Sequence, residues 1–128
     1  MKKFLFIIIA QLIDFVALSQ LSISNTKWSV HTERPQPRDL VLDFKKDTLR
    51  ILDEQGNETS SATFLQRNDS LFIRKASGRS PCPDGSEGWY RIEWLENGDK
   101  FLLHILTEDC PYRVYGHFKV IRKIKASN

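Results

Sequence analysis

Beyond the first twenty residues, apolar and polar positions alternate in short runs, and no stripe at helical spacing persists. Successive side chains on a strand point to opposite faces, so each run reads as a strand with one buried side. Eight runs stand out, over residues 26–32, 39–45, 48–54, 61–67, 70–75, 88–95, 100–106 and 112–123. Asx and Gly turn signals separate several of them, at the spacing of an all-β barrel or sandwich.

The turns predict the pairing. Asn97-Gly98 favours a two-residue type I′ turn, which would set Trp94 opposite Phe101, Ile92 opposite Leu103 and Tyr90 opposite Ile105 on one face. Glu93 would then meet Leu102, and Arg91 would meet His104, on the other face. One side is apolar or aromatic and the other is mixed, as in a sheet buried on one face. A turn at Lys46-Asp47 similarly pairs Phe44 with Leu49 and Leu42 with Ile51, with Asp43 facing Arg50 outside. A turn at Asn68-Asp69 pairs Phe64 with Ile73. In the last run Gly116, Phe118 and Val120 form the inward set, against Tyr115, His117 and Lys119. A meander of eight such strands loses its exposed edges only by closing. The expected fold is therefore all-β, an eight-stranded antiparallel up-and-down barrel.

The first nineteen residues have a different character. Lys2 and Lys3 precede FLFIIIAQLIDFVAL, and Ala17-Leu18-Ser19 supplies small residues where a signal peptidase cuts. Gln11 and Asp14 interrupt the apolar run, which argues against a retained anchor. Residues 1–19 are read as a signal peptide and 20–128 as one barrel domain, exported to the periplasm or beyond, with no integral membrane span in the mature chain.

Charge adds little. Nineteen basic residues (19) face 16 acidic ones, a net charge of +3 in 128 residues, which is not the profile of a nucleic-acid binder. Lys119, Arg122, Lys123 and Lys125 cluster near the C-terminus, as a solvated chain end does. Asn57-Glu58-Thr59 and Asn68-Asp69-Ser70 fit a glycosylation pattern, as Asp47-Thr48-Leu49 and Asp69-Ser70-Leu71 fit another, yet turn chemistry alone accounts for such residues there.

Cys82 and Cys110 flank the 88–106 hairpin. Two cysteines in an exported chain usually pair, so a Cys82–Cys110 disulfide is expected. A cysteine nucleophile would need a base beside it, and zinc at least three ligands; neither pattern is present. There is no phosphate loop, no nucleophile elbow and no metal-binding helix motif, so neither an enzyme nor a cofactor or metal is expected.

TKWSV, DFKKDTLRIL and GWYRIEWLENGDKFLLHILTEDCPYR together resemble the small exported lipocalin-like (calycin) proteins of bacteria, over most of residues 26–122. Thr26 stands where the family usually has a glycine two before the first-strand tryptophan. The resemblance implies that Trp28 closes one barrel end beneath an arginine, Arg113 or Arg122. It also implies a binding protein for a small apolar ligand, held at the open end by Phe44, Tyr90, Trp94, Phe101 and Phe118, with Tyr90 as the polar handle. The alternative is a protein-interaction or inhibitor module whose barrel is filled by those same rings.

Overall fold

A computed structural model describes residues 21–33, 36–111 and 120–125. Its strands are β1 (Thr26–Thr32), β2 (Arg38–Phe44), β3 (Thr48–Leu52), β4 (Glu58–Arg67), β5 (Ser70–Gly78), β6 (Glu87–Leu95), β7 (Lys100–Glu108) and β8 (Ile121–Lys123). Each pairs antiparallel with the next, and β8 pairs with β1 to close the barrel.

Register follows turn chemistry. Glu96 (φ 48°), Asn97 (φ 56°, ψ 33°) and Gly98 (φ 91°) are all left-handed, in a short 3-10 turn between Leu95 and Lys100, and the Asp99 N–H donates to the Glu96 carbonyl at 3.1 Å; the connection is longer than the two-residue turn expected but keeps its register. Trp94 therefore lies opposite Phe101, Ile92 opposite Leu103 and Tyr90 opposite Ile105. The other expected pairs, Phe44 with Leu49, Leu42 with Ile51 and Phe64 with Ile73, are also found.

Several details differ from the sequence reading; β5 runs on to Gly78 and β7 to Glu108, beyond the expected 70–75 and 100–106. β3 stops at Leu52 because the Asp53 carboxylate accepts the N–H groups of Gln55 and Asn57, which turns the chain early. β4 starts at Glu58, since polar Thr59, Ser60 and Ser61 can still join a ladder. The last strand has the opposite parity: Val120 is exposed, while Ile121 is fully buried opposite Phe101. Phe118 and the rest of 112–119 lie outside the described residues.

The two ends of the barrel are unlike. Short turns after β2, β4 and β6 gather at one end, where residues 21–25 close it. Ile23 is fully buried there, and its N–H donates to Gln66 Oε1 at 2.8 Å. Gln66 Nε2 donates in turn to the carbonyls of Leu21 and Asn68, each at 2.9 Å. The Trp28 indole N–H donates to Thr26 Oγ1 at 2.6 Å, and that hydroxyl donates to the Ile23 carbonyl. Thr26 thereby ties the first strand's tryptophan to the closing segment, which a glycine at this position would not do.

Candidate functional site: the long-loop end of the barrel

The inward rows of side chains share one pattern. Near the short turns they are large and apolar, and towards the long-loop end they become polar. β1 runs Trp28, Val30, Thr32; β2 runs Phe44, Leu42, Leu40, Arg38; β4 runs Phe64, Ala62, Ser60; β5 runs Leu71, Ile73, Lys75. Thr32, Ser60 and Lys75 are all buried. A buried polar atom without a hydrogen-bond partner costs about 1–3 kcal/mol, so the partners of these groups matter.

Lys75 is fully committed. Its ammonium donates to the carbonyls of Gly78 (3.2 Å), Ser80 (3.0 Å) and Cys82, and lies 3.4 Å from Asp84 Oδ1. It holds the 79–86 loop much as a bound cation would, and the Cys82–Cys110 disulfide, with a Cα–Cα distance of 5.5 Å, ties that loop to the end of β7.

Glu108 is committed too. The Tyr90 hydroxyl donates to its Oε2, and the Cys110 N–H donates to its Oε1 at 3.0 Å. Gly88 makes room for the pair: a Cβ there would sit 2.6 Å from the Tyr90 hydroxyl oxygen and 2.8 Å from Glu108 Oε2. Glu108 faces inward only because the register shifts between Trp89 and Tyr90, which leaves Leu106 as the extra residue of a bulge.

Arg38 is different. It stands opposite Thr32, whose hydroxyl donates to the Arg38 carbonyl at 3.5 Å. Its Nε is buried and has no hydrogen-bond partner among the described residues. Below it in the barrel lie buried Val30, Leu40, Ile51, Ala62 and Ile73.

Of the ring residues read from the sequence as ligand contacts, Phe44, Trp94 and Phe101 all lie towards the short-turn end, where each packs against a neighbouring ring. Trp94 and Phe101 pack with Trp28 at the short-turn end, with ring centroids 4.6 Å (Trp28–Phe101), 5.5 Å (Trp94–Phe101) and 6.2 Å (Trp28–Trp94) apart. Phe44 packs edge-on against Phe64 at 5.0 Å. Tyr90 is fully buried and extends its hydroxyl towards Glu108, away from those rings. Phe118 and Arg113 lie outside the described residues. The cation over Trp28 is Lys123, 5.9 Å from the ring centroid, whereas Arg122 is exposed and in register with Ser29 and Lys100 on the outer wall. Sequence reasoning passed over Thr32, Arg38, Ser60, Lys75 and Glu108; the first four were signalled by a polar residue continuing an inward row.

Charge on the outer wall is paired at several points. Asp43 faces Arg50 as expected, but it is buried rather than exposed, because Arg50 (3.7 Å) and Lys45 (3.6 Å) cover it. His31 has a raised pKa, through hydrogen bonds first to Asp39 (2.8 Å) and then to Glu33 (2.7 Å). Glu96 has a lowered one, chiefly through the hydrogen bond from Lys100 at 2.8 Å.

No protein-family model, no curated protein and no solved structure matches this chain. The closed eight-stranded barrel is compatible with a calycin-like fold. Among the described residues, no helix is long and apolar enough to cross a membrane.

Proposed function

We propose that this protein is an exported, lipocalin-like binding protein that receives a small amphiphilic anion at the long-loop end of its barrel. The observation that carries the reading is Arg38, a guanidinium whose buried Nε has no hydrogen-bond partner among the described residues, set on an inward row above an apolar wall. A carboxylate, sulfonate or phosphate head would satisfy that donor, and charge-assisted hydrogen bonds to a guanidinium are among the stronger ones. An apolar body would then lie along Val30, Leu40, Ile51, Ala62 and Ile73. Export is supported by the Lys2-Lys3 start, the apolar run that follows and the disulfide. Binding rather than catalysis is the reading because Lys75 and Glu108 are both held in structural hydrogen bonds.

The ligand class therefore moves from the apolar one expected from the sequence to one with an anionic head, and the site moves from the aromatic end to the opposite end. The test is fluorescence titration with anilinonaphthalene sulfonate and with its uncharged analogue phenylnaphthylamine. The anionic probe should bind at one site per chain, and Arg38→Met should weaken it about tenfold or more while the circular dichroism spectrum stays unchanged. Equal binding of both probes, or an Arg38→Met variant that binds as wild type, would overturn the reading. The mutual packing of Trp28, Trp94, Phe101, Phe44 and Phe64 favours a second one, a protein-interaction module with a filled interior. Absence of any saturable binding to the folded protein would put that reading in its place.

A further inference from the structure

The outer wall carries an apolar strip of its own. Leu65, Phe72 and Trp89 are cross-strand neighbours on β4, β5 and β6, and the bulged Leu106 of β7 lies beside them. Leu65 is 51% exposed, Trp89 44% and Leu106 57%, and the Phe72 and Trp89 rings pack at 4.6 Å. Isolated apolar residues on a surface need no explanation, but a contiguous row across four strands marks a contact surface. At its β4 end the strip meets a cleft of about 280 Å³ lined mainly by polar residues, where Leu21, Phe64 and Leu65 share the lining with serines, Lys46, Asp47 and Gln66.

The charge beside the strip is directional. On one side the next row holds Arg67 and Arg91; on the other it holds Arg74. All three are exposed, and none is ion-paired among the described residues. Two carboxylates share this wall: Glu87, in register with Arg74, and Glu93, held by His104 at 2.8 Å.

We infer that this strip docks an acidic amphipathic helix of a partner protein. Strands lie about 4.8 Å apart, so the strip is about 14 Å long, close to the reach of an apolar stripe over about three helical turns. Carboxylates flanking that stripe would meet Arg67 and Arg91 on one side and Arg74 on the other, and such complementarity selects the partner. A second copy of the chain would oppose arginine to arginine here. A membrane surface favours a plane rather than a strip one residue wide. The inference is independent of the barrel's long-loop end.

The experiment uses the full mature chain and two labelled helical peptides of about 18 residues with the same leucine stripe, one flanked by glutamates and one by lysines. Anisotropy should show saturable, salt-sensitive binding of the acidic peptide only, with a change in the emission of Trp89, the exposed tryptophan. Trp89→Ala and the pair Arg74→Glu, Arg91→Glu should each weaken it at least about tenfold, with the circular dichroism spectrum of the folded barrel retained; the arginine pair, exposed and outside the Phe72–Trp89 ring contact, separates lost binding from lost packing. Equal binding of both peptides, no binding, or binding that survives these substitutions overturns the inference. So does either competing occupant: flotation with phosphatidylglycerol vesicles lost in Trp89→Ala, or a dimer in sedimentation lost in Trp89→Ala.

Discussion

Opening the Cys82–Cys110 bond should destabilise the protein strongly while leaving its folded spectrum nearly unchanged. The bond joins residues 28 apart in sequence. In the chain-entropy model, closing a loop of that length removes unfolded-state freedom worth roughly 3.5 kcal/mol. The folded side changes little, because Lys75 holds the carbonyls of Gly78, Ser80 and Cys82 without help from the sulfur atoms, and Glu108 holds the Cys110 N–H. For a domain of about 100 residues this corresponds to a melting temperature lower by roughly 15 °C. The assay is urea unfolding of the wild type and of the double variant Cys82→Ser, Cys110→Ser, followed by tryptophan emission and far-ultraviolet circular dichroism. A loss under about 1 kcal/mol would refute the loop-entropy reasoning. Two free thiols in the folded wild-type protein, isolated without reductant, would refute the bond itself.

Phe101→Ala should cost about 3–5 kcal/mol in chemical denaturation, since the ring is fully buried between Trp28 and Trp94. Trp94→Ala should cost less, because that ring is only partly buried; equal costs would contradict this packing. Lys75→Met should cost roughly 2–3 kcal/mol and open the 79–86 loop to limited proteolysis, as the carbonyls lose their donor; a protease-resistant loop would contradict its role. His31 should titrate above its usual 6.5 by nuclear magnetic resonance and fall back towards it in Asp39→Asn. Its stabilising contribution is complete below the unfolded pKa and disappears as pH climbs through the raised folded value. Glu96 has the opposite sign: its contribution is present above its usual 4.5 and lost as pH falls through the lowered folded value, and Lys100→Ala should abolish the shift.

The strands and their pairing were legible because both depend on local chemistry. Period-two alternation marks the strands, and Asn97-Gly98 adopts positive φ readily enough to fix a register that then orients every residue from Tyr90 to Ile105. The unlike ends were only half legible. Arg38, Ser60 and Lys75 continue inward rows that the alternation already defined, so their inward placement follows from parity. What each one bonds to does not, since the partners of Lys75 are carbonyls of a loop whose path no periodic pattern sets. Glu108 was beyond reach of parity altogether: one extra residue at Leu106 turns it from the outer face to the inner one, and that bulge arises from pairing with β6. The aromatic rings show the same division. Sequence alone put Trp94, Phe101 and Phe44 inside. Only closure of the barrel, with residues 21–25 folded across the short-turn end, decided that their neighbours would be Trp28 and Phe64, because which end of a barrel is shut depends on contacts between segments far apart in the chain.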